Sequence, residues 1–307
     1  MNATHLSDPV IFSRLVAFSI IPVFLIVGFI CNIFVVYIYA QQPKKSNVET
    51  FILLLAVIDL IGCIFGMPLE MAELYPAIQS KYLCKLYKFV VFNCSAISSL
   101  ILLIIAIERF RKVRCPNGKQ ITPKLRQTLI IFITVTSVAL GLPNLFYFEG
   151  IPFTHENKIY MICDFDLTRA SVWSYTLAGL IIFIIFYPTM TVLYLFVQKT
   201  VTQHFKKKQG KEEALKQRGI TRINIVLISI SVLFFVSFSP TFVFFVIYPY
   251  CKDSNLLQIL KVALYRTWIL NSSLNPLVYG FCNKIFRKSL VNIFTRGKVV
   301  FEMEEKF

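Results

Sequence analysis

The chain alternates long apolar runs with short charged gaps. Seven of the runs exceed about 20 residues, the length at which an α-helix spans the ~30 Å hydrocarbon core of a bilayer. They are 15–40, 48–74, 82–110, 125–148, 171–198, 220–248 and 257–281. A backbone in lipid has to satisfy its own hydrogen bonds, so runs of this kind fold as packed helices. Composition agrees. The chain is 56% hydrophobic and 16% charged, where a soluble domain carries roughly 25% charged residues. The fold class expected is an all-α membrane protein, a bundle of seven transmembrane helices. Residues 283–294 predict a short amphipathic eighth helix. Ile285, Phe286, Leu290, Ile293 and Phe294 share one face, with Lys284, Arg287 and Lys288 away from it, so this helix should lie on the membrane surface. The organisation expected is an N-terminus over 1–14, a transmembrane domain over 15–281, and the amphipathic helix with a short tail over 282–307.

A net charge of +16 would by itself suggest a nucleic-acid partner, so the placement of the charge decides. Of 32 Lys and Arg residues, 23 lie in alternate gaps and the C-terminal tail, and nine lie on the opposite side. This asymmetry predicts a cytoplasmic C-terminus and an extracellular N-terminus in the plasma membrane. The basic loops then face anionic inner-leaflet lipid, and no nucleic acid is needed to explain them. Residues 1–10 have no basic segment followed by a cleavage site, so the first helix is expected to act as its own insertion signal. Asn2-Ala3-Thr4 is a glycosylation sequon that would face outward. The sequons at Asn93 and Asn271 lie inside apolar runs and are not expected to be used.

Two charged positions stand out on physical grounds. Asp59 lies mid-helix with no basic partner at its depth, and a carboxylate in lipid is costly enough to be functional by default. Ser98, Asn271, Ser272 and Asn275 are the polar side chains at matching depth. Glu108-Arg109 closes the third run at the cytoplasmic end. Prolines Pro22, Pro68, Pro143, Pro188, Pro240 and Pro276 fall within runs one, two, four, five, six and seven, a pattern suited to a bundle with a cavity and moving parts.

Motifs in chain order carry a resemblance. Asn32 stands in helix one. Leu55-Ala56-Val57-Ile58-Asp59 stands in helix two. Cys84 opens helix three and Glu108-Arg109-Phe110 ends it. Helix six holds Phe234 and Phe238-Ser239-Pro240. Helix seven ends in Asn275-Pro276-Leu277-Val278-Tyr279. Over roughly residues 16–290 this order resembles the rhodopsin-class G-protein-coupled receptors, and the segment 108–120 resembles invertebrate neuropeptide receptors. The resemblance implies a receptor that activates a heterotrimeric G protein. It implies a Cys84–Cys163 disulfide that pins a loop over the cavity, and a sodium ion as allosteric modulator at the Asp59 cluster, with no other cofactor. It assigns switch roles to Glu108, Arg109, Pro188, Phe234, Phe238, Pro240, Pro276 and Tyr279.

Departures are also visible. The tyrosine expected eight residues after Pro188 is Phe196, with Tyr194 two positions away. Phe238 stands where tryptophan is usual. Ile220, Thr221 and Arg222 stand where the family has an acid that restrains Arg109, so a weak inactive-state restraint is expected. Val91 replaces the acid that binds amines, and Ile269 replaces the lysine that binds retinal. The ligand cavity is expected to be lined by Glu70, Glu73, Lys88, Val91, Phe92, Tyr248, Tyr265, Arg266 and Trp268. Two acids, two bases and aromatic rings suit a peptide, and the loop 149–169 is long enough for a hairpin lid over it. An orphan or chemosensory receptor for a small molecule is the runner-up. An ion-coupled transporter would show internal repeats, which are not seen. An enzyme would need a catalytic motif, and none is present.

Overall fold

Side-chain caps set where two of the helices begin. Ser46 and Glu49 form a capping box. The Ser46 N–H donates to Glu49 Oε2 at 2.6 Å, and the Glu49 N–H donates to Ser46 Oγ at 3.3 Å. Two amides that the helix cannot satisfy are satisfied reciprocally. Thr122 Oγ1 accepts from the Leu125 N–H at 3.2 Å. Pro123 follows at the first helical position, where its missing N–H costs nothing.

The computed structural model describes residues 4–5, 8–74, 80–115, 117–155, 158–165, 170–206, 211–247, 255–282 and 284–296. The first pass is α1 (Asp8–Ala40). The second is α2 (Asn47–Ile61), a π-helical turn (Gly62–Gly66) and α3 (Met67–Leu74). The third is α4 (Lys81–Arg114). The fourth is α5 (Pro123–Gly141), followed by the single turn α6 (Asn144–Tyr147). The fifth is α7 (Ala170–Lys206) and the sixth α8 (Lys211–Ile247). The seventh is α9 (Asn255–Leu264) with α10 (Trp268–Cys282), and α11 (Lys284–Arg296) follows. Among the described residues, six helical stretches are long and apolar enough to cross a membrane. The seventh crosses in two pieces. A three-stranded sheet covers one end: β2 (Phe148–His155) pairs antiparallel with β3 (Lys158–Phe165), and β1 (Thr4–His5) adds in parallel to β2.

Three sequence expectations need correction. The seventh helix is not continuous, because the chain turns at 265–267. Thr241 Oγ1 and Thr267 Oγ1 both donate to the Leu264 carbonyl, at 2.8 and 2.9 Å, and Arg266 donates to the Val262 carbonyl at 2.6 Å. Carbonyls that an unbroken helix would bond are thus satisfied by side chains, as lipid requires. Pro143 does not lie inside the fourth helix but between α5 and α6. Helices five and six run well past the apolar stretches that announced them, because polar residues continue the helix once it leaves the bilayer. The hairpin lid is present over the expected loop. Strand β1 is an addition that the sequence did not announce.

The second pass packs against the first and seventh. A Cβ at Gly28 would come within 2.8 Å of Cys63 Sγ and 3.1 Å of Ser273 Cα, so glycine lets α1, the π turn and α10 approach one another. Ser273 Oγ donates to the Phe24 carbonyl at 3.0 Å across the same seam. The main apolar core is built on Phe51, Leu55, Ile101, Leu102 and Ile105 and reaches Phe286 of α11. Phe286 stacks on Tyr39, and Phe294 meets Phe34 at 5.6 Å. The amphipathic eighth helix is therefore docked on α1.

Candidate functional site

Three polar regions lie along the bundle axis. The first is at the end covered by the hairpin, where Cys84 and Cys163 form the expected disulfide and tie β3 to the start of α4. Beneath it, α3 presents Glu70 and Glu73 one turn apart. Arg266, placed inward by the break in the seventh helix, pairs with both. Its Nε lies 2.9 Å from Glu70 Oε1, and one terminal nitrogen donates to Glu73 Oε2 at 2.6 Å. Glu70, only 1% exposed, also accepts from the Tyr87 hydroxyl and from Trp268 Nε1, the latter at 3.2 Å. Arg14 of α1 lies 3.6 Å from the Glu73 carboxylate and donates to the Glu73 carbonyl at 2.5 Å. It caps the end of α3, where the helix dipole favours a cation. Lys88 stands one residue after Tyr87, with its ammonium 4.4, 5.4 and 5.8 Å from the ring centroids of Tyr87, Phe148 and Tyr265. Asp164 of β3 is paired with Lys261 of α9.

The structure brings Glu70, Glu73, Lys88, Tyr265, Arg266 and Trp268 together. Val91 packs beside them, against the clusters that hold Trp268 and the disulfide. Phe92 turns to Tyr175 of α7, 6.2 Å between ring centroids, on a different side of α4. Tyr248 lies outside the described residues, as do Asn2 and Ala3 of the sequon. Arg14, Tyr87, Asp164 and Lys261 escaped the sequence reading. The signal available for Arg14 was an arginine within one turn of an apolar run, which reads equally well as a flanking charge.

The second region is mid-bundle. Asp59 is 1% exposed, and Asn275 Nδ2 donates to its Oδ2 at 2.8 Å. Ser98, Asn271 and Ser272 are buried with it. Asn32 Nδ2 bonds the carbonyls of Gly28 and Ser272, both at 2.9 Å, and so fixes α1 to α10. Asp59 Oδ1, Asn271 Oδ1 and Asn275 Oδ1 are buried without a hydrogen-bond partner. Buried acceptors left bare are costly, and oxygen donors around one carboxylate match the preference of a hard cation. The residues present therefore fit a sodium ion.

The third region is the Arg109 end. Glu108 is buried and its Oε2 lacks a partner, as does Arg109 Nε. Tyr194 is 3% exposed and its buried hydroxyl has no hydrogen-bond partner among the described residues, whereas Phe196 is 52% exposed and meets Phe110 edge-on at 6.2 Å. The buried tyrosine hydroxyl on this stretch of α7 therefore belongs to Tyr194, two positions before the residue counted from Pro188. Asn224 of α8 is buried with neither amide atom partnered. Ile220 and Arg222 have side chains outside the described set, and so has Tyr279. Phe234 and Phe238 lie 4.6 Å apart, and Phe234 meets Phe186 at 6.4 Å. Pro188, Pro240 and Pro276 lie inside α7, α8 and α10.

The sequence profile described as 7 transmembrane receptor (rhodopsin family) matches residues 31–279, from helix one to the last residue of Asn-Pro-x-x-Tyr. The chain belongs to the rhodopsin family. Its similarity to individual proteins spreads over most of both chains. It is 24% identical to the neuropeptide Y receptor type 6 of Mus musculus, over 90% of this chain and 79% of that one. It is 25% identical to the neuropeptide FF receptor 2 of Mus musculus, over 91% and 73%. It is 23% identical to the galanin receptor 2a of Danio rerio, over 86% and 73%. The receptor is accordingly a G-protein-coupled, multi-pass plasma-membrane protein and not an enzyme. The ion-coupled transporter reading is set aside with the enzyme reading.

Proposed function

We propose that this receptor is activated by a peptide that enters at the hairpin-covered end, with that end and the N-terminus facing outward. The observation that carries the reading is the cluster beneath the hairpin. Buried charges of both signs lie beside Tyr87, Tyr265 and Trp268. Peptides bring charged groups and aromatic anchors of their own, and such anchors account for most of the affinity at recognition surfaces. The named relatives are receptors for neuropeptides and galanin, which supports the same ligand class. Val91 and Ile269 supply neither the acid for an amine nor the lysine for retinal.

Agonist binding shifts a two-state bundle, and α8 moves to open a groove at the Arg109 end for the heterotrimeric G protein. Glu108, Arg109 and Tyr194 form the polar switch at that groove, and Phe234 and Phe238 the aromatic contact above it. Asp59, Ser98, Asn271, Ser272 and Asn275 would hold a sodium ion, which supplies the positive charge that the lone carboxylate lacks. A peptide library applied to cells expressing the receptor, with a promiscuous G-protein readout, tests the ligand class. Activation by peptides supports it. Silence across the library with activation by small metabolites overturns it.

A further inference from the structure

Among the described residues, three cations meet two carboxylates under the hairpin: Arg14, Lys88 and Arg266 against Glu70 and Glu73. The acids are fully engaged inside the receptor. Glu73 lies against both arginines, and Glu70 holds Arg266, the Tyr87 hydroxyl and the Trp268 indole. Asp164, the next carboxylate, is held by Lys261. Lys88 is left over. Its ammonium donates to the Tyr87 oxygen at 3.3 Å and otherwise faces the rings of Tyr87, Phe148 and Tyr265. Among the described residues no carboxylate lies within ion-pair distance of it. Ring faces attract an ammonium but do not replace strong acceptors, and a lysine has three N–H donors to satisfy. A half-buried lysine held in this way is a charge awaiting a partner.

We infer that Lys88 is the docking point for a carboxylate carried by the ligand, and that the activating peptide is acidic at its anchoring end. This rests on the peptide reading of the same site. The two glutamates, which in isolation would select basic ligand groups, are neutralised internally. Among the described residues, the one charge in the cluster without an ion-pair partner is the positive one on Lys88. Phe148 and Tyr265 beside it give an apolar neighbour of that carboxylate a surface to pack on. The carboxylate comes from an Asp or Glu side chain or from a free peptide C-terminus.

Matched peptide pools decide the matter, assayed on cells expressing the full chain. One pair of pools differs by Glu→Gln and Asp→Asn replacement, another by a free or amidated C-terminus, and a panel of small monocarboxylates runs beside them. Activation is expected only from pools that retain a carboxylate. Loss on amidation identifies the C-terminus as its source, and loss on amide replacement identifies a side chain. For any active peptide, Lys88→Met should raise the half-maximal concentration roughly 30-fold or more, with Lys88→Arg retaining most of the response. Equal activation by carboxylate-free peptides overturns the inference and leaves the peptide reading standing. Activation by monocarboxylates alone, lost in Lys88→Met, keeps Lys88 as anchor and overturns the peptide reading. Silence in every arm with receptor at the cell surface overturns both. Where Lys88→Met fails to reach the surface, the pool comparison on the unaltered receptor decides alone.

Discussion

Glu70 collects one ion pair and two hydrogen bonds while almost fully buried. Glu70→Gln leaves Arg266 with Glu73 as its remaining carboxylate and should cost about 3 kcal/mol, the low end for breaking a buried pair. A lowered melting temperature of the purified receptor in detergent checks this. Asp59→Asn removes the lone carboxylate among the bare oxygens, and agonist affinity should lose its dependence on sodium concentration. Radioligand binding in sodium and in a large organic cation measures it, and a retained sodium effect would refute the ion site. Tyr194→Phe should reduce agonist-stimulated nucleotide exchange with surface expression retained, whereas Phe196→Leu should have little effect. Asp59 was legible because a carboxylate with no base at its depth has to be explained. Tyr194 was not legible by counting from Pro188, which selects Phe196. Residues two apart on a helix point about 200° away from each other, so one of the pair faces the core and the other faces lipid, and packing makes that choice. Arg14 was invisible for a different reason: an arginine near a helix end carries no mark of its partner.

Helices as elements were legible from the length of the apolar runs, because lipid leaves a backbone few alternatives. Their interruptions were less so. An average over some twenty residues passes smoothly across 265–267, although Arg266 and Thr267 supply the bonds that stabilise the break. Pro143 fits a helix by composition and stands between two helices in fact. The π turn Gly62–Gly66 has no hydropathy signature at all. Its last glycine makes room for Trp268, since a Cβ at Gly66 would sit 2.9 Å from Trp268 Cη2. Gly66→Leu should displace the indole from Glu70 and destabilise the bundle by about 1–3 kcal/mol, the usual cost of overpacking. Lower thermal stability together with altered tryptophan fluorescence is the expected result. Fluorescence identical to the unaltered receptor would show that Trp268 does not depend on that space.

The whole receptor is closed at one end by the hairpin and the Cys84–Cys163 bond. Cys84→Ala should abolish ligand binding or surface delivery, measured by labelling of intact cells. Normal binding at the surface would mean that the hairpin holds its place without the covalent link. The divided seventh span has a biosynthetic corollary. Its pieces are ten and fifteen residues long, and neither alone reaches the length a bilayer accepts as a crossing. An unescorted guanidinium adds a few kcal/mol of insertion cost at the middle of a helix. The carboxylates that would offset it belong to a segment made some two hundred residues earlier. During synthesis the last crossing must therefore find its acidic counterparts already seated, which makes the order of membrane entry part of the information the chain encodes.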